Sequence, residues 1–257
     1  MNPRELPGAH NPEPGMCERP RVMLTLHCTR ECPYCTIKPH VPPTLFRELS
    51  AVEWAERFAQ FNELGYGRPI FGGREPTLHR EFARILQLAP KESKPITVYS
   101  NFDTKLDIRS FSPRDSEWMV TLHRKNTPED VYAWARRVTE FKRAGFNVKA
   151  DTLGLTPENL EQLLALDMGV PLYCKPWVDL PHPPQKPQAC LYSVRWFAPD
   201  GSRWFCSDKM LRNDARFRVD DDHDRAIVCD EPTCNACDWW FIRSLNDVQD
   251  PGGVRCR

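Results

Sequence analysis

The chain predicts an α/β fold: an open, partial (β/α)6 barrel followed by a small C-terminal hairpin and helix extension. Three observations carry that expectation. Short apolar runs alternate with helical patterns between residues 21 and 178, the mark of parallel strands joined by crossover helices. The six units are too few to close an eight-stranded barrel. Beyond about residue 178 the alternation stops, and a hairpin pattern follows a Pro-rich linker.

The elements follow in order. Residues 1–20 are polar and Pro-rich and read as a loose arm. RVMLTLH (21–27) is the first strand, and KPHVPPTLFRE is a Pro-broken loop. Ser50 and Glu53 have the spacing of a capping box. Val52, Ala55, Phe58, Ala59, Phe61 and Leu64 then recur at helical intervals. RPIF (68–71) is a strand and GGREP the loop after it. HREFARILQLA (79–89) is a helix, and PITVYS (95–100) and WMVTLH (118–123) are strands. Thr127 caps a helix with Pro128 in its first turn, running to about Ala144. FNVKAD (146–151) is a strand. Thr156 and Pro157 repeat the cap before ENLEQLLALD, and VPLYCK (170–175) is the sixth strand. PHPPQKP is a linker, and CLYSVRWFAPDGSRWFC reads as strand, turn at Pro199-Asp200-Gly201, strand. DWWFIRSL reads as a short helix. The expected division is an arm over 1–20, a barrel over 21–178 and an extension over 179–257.

Composition narrows the function. Among 257 residues, Lys plus Arg and Asp plus Glu are 35 each, so the net charge is zero. Nucleic-acid binders normally show a basic excess, so no nucleic-acid partner is expected. No run of eighteen apolar residues exists, so no membrane span is expected. The N-terminus lacks a secretory apolar core, which makes the cytoplasm the expected location. In that compartment the eleven cysteines are expected to bind metal or to react rather than to pair. They gather at 17, 28, 32 and 35, then at 174, 190, 206, 229, 234, 237 and 256. Two groups at opposite ends suggest two metal sites.

The first group, Cys28, Cys32 and Cys35, follows the first strand as C-x3-C-x2-C. Structural zinc takes four ligands, commonly from C-x2-4-C pairs, and a triplet leaves one corner vacant. A cubane iron–sulfur cluster with three protein thiolates has one iron open to a small molecule. CTRECPYC, with Tyr34 as its aromatic, resembles the signature of radical S-adenosylmethionine (SAM) enzymes. FGGREPTLH resembles that family's Gly-Gly-x-Glu-Pro stretch after the second strand, with Arg74 where another Gly is more usual. The resemblance covers about residues 21–178.

It implies that Cys28, Cys32 and Cys35 hold three irons of a [4Fe–4S] cluster while the amino and carboxylate groups of SAM bind the fourth. It implies that Gly72 and Gly73 admit the methionine end of SAM, with an acceptor on Glu75 nearby. It implies ribose contacts from Ser100 and Asn101. Lys149 and His123 are candidates for the SAM carboxylate. The implied chemistry is reductive cleavage of SAM to a 5′-deoxyadenosyl radical that takes a hydrogen atom from substrate, with a flavodoxin or ferredoxin as electron donor.

Cys190 and Cys206 give C-x10-G-x4-C through Gly201, and Cys234 and Cys237 give C-x2-C. Spacing alone permits zinc or iron–sulfur there. The pattern resembles SPASM extensions of the radical SAM family, shortened to the single-cluster Twitch form. That implies a second, auxiliary [4Fe–4S] cluster on Cys190, Cys206, Cys234 and Cys237, with Cys229 an alternative ligand. Cys174, near the end of the sixth strand, is either a buried thiol or a catalytic hydrogen or proton carrier above the substrate. Cys17 and Cys256 receive no role.

The expected function is therefore a radical SAM oxidoreductase in which the auxiliary cluster takes up the second electron. Only about 20 residues precede the first strand, so no peptide-recognition domain is expected there. That favours a small-molecule substrate over a ribosomal peptide delivered by a separate protein. A zinc-stapled binding module without catalysis is the distant alternative.

Overall fold

The computed structural model describes residues 19–32, 35, 41–63, 66–89, 95–123, 127–153, 155–175, 188–190, 196–204, 206–219 and 227–229. In chain order the elements are β1 (Arg21–Val22), α1 (Ala51–Glu63), β2 (Ile70–Phe71), α2 (Phe82–Leu88), β3 (Ile96–Ser100) and β4 (Ser116–His123). Then come α3 (Pro128–Arg143), β5 (Asn147–Leu153), α4 (Pro157–Leu164), β6 (Leu172–Lys175), β7 (Gln188–Cys190), β8 (Trp196–Phe197), β9 (Arg203–Trp204), α5 (Ser207–Leu211) and β10 (Ile227–Cys229).

The local signals account for the helices. Thr127 accepts from Asp130 N, and Asp130 accepts from Thr127 N, a complete capping box with Pro128 behind it. Ser50 and Glu53 do the same ahead of α1. The buried stripe of α1 is Ala51, Trp54, Phe58 and Phe61. Phe58 and Phe61 of the expected stripe are buried, but Val52 is half exposed, and in the first turns Ala51 and Trp54 are buried instead. A bulky indole at the i+3 position after Ala51 outweighs the weaker pull of Val52 and Ala59.

Strands β1 to β6 pair in sequence order and in parallel. The sheet order is β6-β5-β4-β3-β2-β1-β8-β9, so the sheet is open, as the unit count predicts. The expected hairpin is present, and its place was not foreseen. β8 pairs in parallel with β1, and β9 turns back antiparallel beside it. The C-terminal hairpin thus prolongs the barrel sheet at its first edge, and Phe197 packs on Phe61 at 4.3 Å between ring centroids. Gly201 turns the hairpin with φ +76. A Cβ there would come within 2.9 Å of Arg57 and Leu49, so the turn lies flat against the start of α1.

One face of the sheet carries the main core. Trp54, Phe58, Phe71, Val98, Phe102, Trp118 and Phe141 are buried between sheet and helices. Along β4 burial alternates, with Ser116, Trp118, Val120 and Leu122 inside and Glu117, Met119, Thr121 and His123 half-buried. The second face lines the barrel interior. At its N-terminal end a polar layer closes the sheet. Arg19 donates to Thr97 at 2.9 Å, Thr97 to Glu117 at 2.6 Å, and Asn147 reaches Glu117 at 3.4 Å. Arg19, expected in the loose arm, is therefore part of the barrel wall. A second, smaller core joins Met23, Leu26 and Phe46 to Ala198, Trp204, Met210, Leu211 and Phe217.

Candidate active site

At the C-terminal ends of the strands lies a cavity of about 360 Å³. Cys28, Cys32 and Cys35 line it together with Arg30. Facing them are Gly72, Gly73, Arg74 and Glu75 after β2, and Tyr99, Ser100 and Asn101 at the end of β3. Thr121 and His123 of β4, Leu153 of β5, and Arg21, Ile70 and Trp196 also line the cavity. Position follows from topology, because loops at these strand ends of a parallel sheet converge on one side.

Glu75 organises this rim. It is almost wholly buried, and its carboxylate accepts from Ser100 Oγ at 2.9 Å, Asn101 N at 2.8 Å and Thr77 N at 3.2 Å. Its own amide donates to the His27 carbonyl at 3.1 Å. One residue thereby ties the GGREP loop to the ends of β1 and β3. Burial pushes the Glu75 carboxyl up, against the pull of the donors from Thr77, Asn101 and Ser100. Gly73 reaches φ +102, a conformation that side chains disfavour.

The cysteine loop is tethered as well. Thr29 and Arg30, between the first two thiols, both donate to Asp103 in the loop after β3. Arg30 Nη2 sits 2.7 Å from Asp103 Oδ1, making a forked ion pair. Asn101 Nδ2 donates to Thr29 Oγ1 at 2.9 Å, and the Cys35 amide closes a turn on the Cys32 carbonyl at 2.9 Å. Burial pushes the Cys28 thiol up, so the metal-free group stays protonated. Burial, helped by the Arg30 charge, pushes His123 down to about 4. Its imidazole is neutral near pH 7, able to offer one N–H and one acceptor.

The profile of the radical SAM superfamily matches residues 22–108, the stretch that supplies the three thiols and the Glu75 rim. The solved structure of SuiB from Streptococcus suis bound to S-adenosylmethionine shares the fold, with a TM-score of 0.59 at 10% identity over 76% of this chain. The structure of SuiB bound to its precursor peptide SuiA is as similar, with a TM-score of 0.59 at 10% identity over 77%. This chain spans 61% of the SuiB chain in both.

The superfamily matched over residues 22–108 implies a [4Fe–4S] cluster and SAM, and the three thiols here are a donor set of that kind. Among the described residues no three Cys, His, Asp or Glu side chains converge closely enough to hold one metal ion. A zinc ion needs such convergence. A cubane does not, since each thiolate takes a separate iron. Three thiols around one mouth are the donor set of a cubane with one open iron.

The other expected residues fare differently. Gly72, Gly73, Glu75, Ser100, Asn101 and His123 meet in the cavity. The Glu75 carboxylate accepts from Ser100 Oγ and Asn101 N and so positions both residues. Lys149 pairs in register with Met119, four residues before Leu153, and is not among the described lining residues. Cys174 pairs with Thr152, one position out of step with the cavity-lining Leu153. Cys206 is half-buried against the second core, beside which Cys35 also packs. Cys190 ends β7, where the antiparallel register pairs it with Ile227 and pairs Cys229 with Gln188. Tyr34, Cys234 and Cys237 lie outside the described residues, as does the DWWFIRSL segment. Sequence reasoning missed Arg21, Arg30, Tyr99, Thr121, Leu153 and Trp196 as lining residues. Only the alternation along the strands carried a signal for Tyr99, Thr121 and Leu153. No helix among the described residues is long and apolar enough to cross a membrane.

Proposed function

We propose that this protein is a radical SAM oxidoreductase acting on a small-molecule substrate. The observation that carries the reading is the meeting of Cys28, Cys32 and Cys35 with the Gly72–Glu75 loop and the Ser100–Asn101 turn in one cavity. The three thiolates would hold three corners of the cluster, leaving the fourth to the amino and carboxylate groups of SAM. When bound, the cluster supplies one electron to the SAM sulfonium, whose carbon–sulfur bond then breaks to give a hydrogen-abstracting 5′-deoxyadenosyl group.

The chain's own residues set the geometry. Gly73 gives the loop a turn open to the ligand. Glu75 fixes Ser100 and Asn101, the polar pair assigned to the ribose. Asp103 holds the cysteine loop through Arg30. Neutral His123 is assigned a hydrogen bond to SAM, not a charge. No step is assigned to Lys149 or Cys174.

The second cluster belongs to the same proposal, on Cys190, Cys206, Cys234 and Cys237, as acceptor of the electron left on substrate. Cys229 is the alternative to one of these ligands; the β7–β10 register sets Cys190 opposite Ile227 and Cys229 opposite Gln188, two rungs along the same ribbon. Electron supply by a flavodoxin or ferredoxin is part of the reading. A peptide substrate is the second reading. Its support is the fold shared with SuiB, a structure of which holds the precursor peptide SuiA.

The test is anaerobic reconstitution. The wild type is expected to turn brown with close to eight irons and eight sulfides per chain, from two four-iron clusters. With a chemical reductant it is expected to convert SAM to 5′-deoxyadenosine, and Cys32→Ala to lose that conversion. Colourless protein carrying zinc would overturn the reading.

A further inference from the structure

One bend of the backbone beside the site is held against its own preference. Phe102, directly after the Ser100–Asn101 pair, has φ +58. Among the described residues, Asn213 is the other non-glycine in that left-handed region. Asparagine tolerates it, whereas a bulky aromatic does not. Such a conformation persists where its surroundings fix it.

Helix α3 supplies that fixation. The Arg137 guanidinium donates to the Phe102 carbonyl. Four residues on, along the same side of the helix, Phe141 packs on the Phe102 ring at 4.7 Å between centroids. Trp118 of β4 meets that ring at 5.7 Å, and Phe102 is 1% exposed. One helix thus grips both the carbonyl and the ring of a single residue.

The bend arranges the cysteine loop. The Phe102 amide donates to Ser100 Oγ at 3.0 Å, and the Asp103 amide donates to Asn101 Oδ1 at 2.9 Å. Asn101 and Asp103, on either side of Phe102, then meet the same neighbours. Asn101 Nδ2 donates to Thr29 Oγ1, and the Asp103 carboxylate accepts from Thr29 and Arg30. Thr29 and Arg30 stand between Cys28 and Cys32. A negative φ at Phe102 would redirect the chain after Asn101 and part Asp103 from both.

We propose that Arg137 is a positioning residue for the cysteine loop. By holding Phe102 in the left-handed bend, it fixes the place of Cys28 and Cys32 through Asn101, Asp103, Thr29 and Arg30. Arg137 lies beyond residues 22–108, so the stretch matched to the radical SAM superfamily does not contain it. The consequence for SAM rests on the reading above, in which these thiols hold the cluster that binds it.

The first readout needs no cluster. Full-length, reduced, metal-free protein is pulsed with iodoacetamide, and mass spectrometry gives the alkylation rates of Cys28 and of Cys206, which packs against the second core. Arg137→Met keeps the apolar stem and removes the donors. It is expected to raise the Cys28 rate about tenfold relative to Cys206, the worth of one hydrogen bond to a charged group. Arg137→Lys, a point charge without the planar fork, is expected to fall between that variant and the wild type. An unchanged ratio, or an equal rise at both cysteines, would overturn the positioning role. Should Arg137→Met fail to fold, Arg137→Lys decides by the same ratio. In reconstituted, reduced protein, the SAM concentration that half-changes the electron paramagnetic resonance signal is expected to rise about tenfold in Arg137→Met. An unchanged midpoint would overturn the role as well. Wild-type SAM cleavage is measured alongside. Selective exposure of Cys28 without cleavage supports the role of Arg137 and sinks the reading it rests on, and cleavage with an unchanged alkylation ratio sinks the role of Arg137 alone.

Discussion

The rim of the cavity is held by polar groups, while the hairpin that adds Trp196 to its lining is held by apolar ones. At the rim, Glu75 gathers donors from two loops, and Asp103 anchors Thr29 and Arg30. At the hairpin, Trp204 is buried with Phe46, Met210 and Phe217, and backbone pairing to β1 does the rest. The rim must place thiols and hydrogen-bonding groups at set positions, which directional bonds do and packing alone does not. The hairpin needs only to stay against the sheet edge, which area burial achieves. The second core also receives Cys35, so the two devices touch.

The comparison can be broken from either side. Trp204→Ala should have the largest effect, about 3–5 kcal/mol of stability in urea unfolding, since it removes a fully buried indole. It should free the hairpin and leave the polar rim bonds in place. Glu75→Ala should cost about 2–4 kcal/mol, because it strands the buried donors of Asn101 and Ser100. Unlike Trp204→Ala, it should lower iron retention out of proportion to its stability loss, read as iron per chain after desalting.

A smaller effect follows from His79, a rim neighbour outside the cavity. Nε2–H donates to the Leu49 carbonyl at 3.0 Å, and Nδ1 accepts from the Glu81 amide at 3.1 Å, so the folded protein holds the neutral ring. Burial pushes this histidine down from 6.5. The unfolded chain takes up the proton first, so stability is full above about pH 6.5 and falls as pH drops toward the depressed folded value. The slope in that window approaches about 1.4 kcal/mol per pH unit. Urea midpoints at pH 7.5 and 5.5 should differ more for the wild type than for His79→Gln. The smallest effect is the coupling between Arg30 and Asp103. Their side chains are 19% and 27% exposed, and a double-mutant cycle should give about 1 kcal/mol.

Legibility in the sequence followed the range of each interaction. The helices of the barrel were readable because Thr127, Thr156 and Ser50 cap them locally. The cysteine triplet and GGREP were readable because residues close in sequence make one site. The hairpin was visible from Pro199-Asp200-Gly201, yet its docking on β1 was not, since a two-residue parallel pairing between Arg21–Val22 and Trp196–Phe197, far apart in sequence, leaves no local trace. The same holds for Trp196 in the cavity and for Asp103, whose role exists only because the loop after β3 folds beside Thr29 and Arg30. Lys149 shares the alternation of Leu153 on β5 and stands four residues before it. Glu75 was expected to offer an acceptor near SAM; that its buried carboxylate also accepts from the Asn101 amide, 26 residues on, had no local signal.

The open iron is the centre of this account, and electron paramagnetic resonance of the reduced, reconstituted protein addresses it directly. A cluster held by Cys28, Cys32 and Cys35 alone should change its signal when SAM is added, in the wild type and in Cys234→Ala alike. A signal indifferent to SAM in a fully loaded protein would mean that the fourth corner is already filled, and would contradict the account.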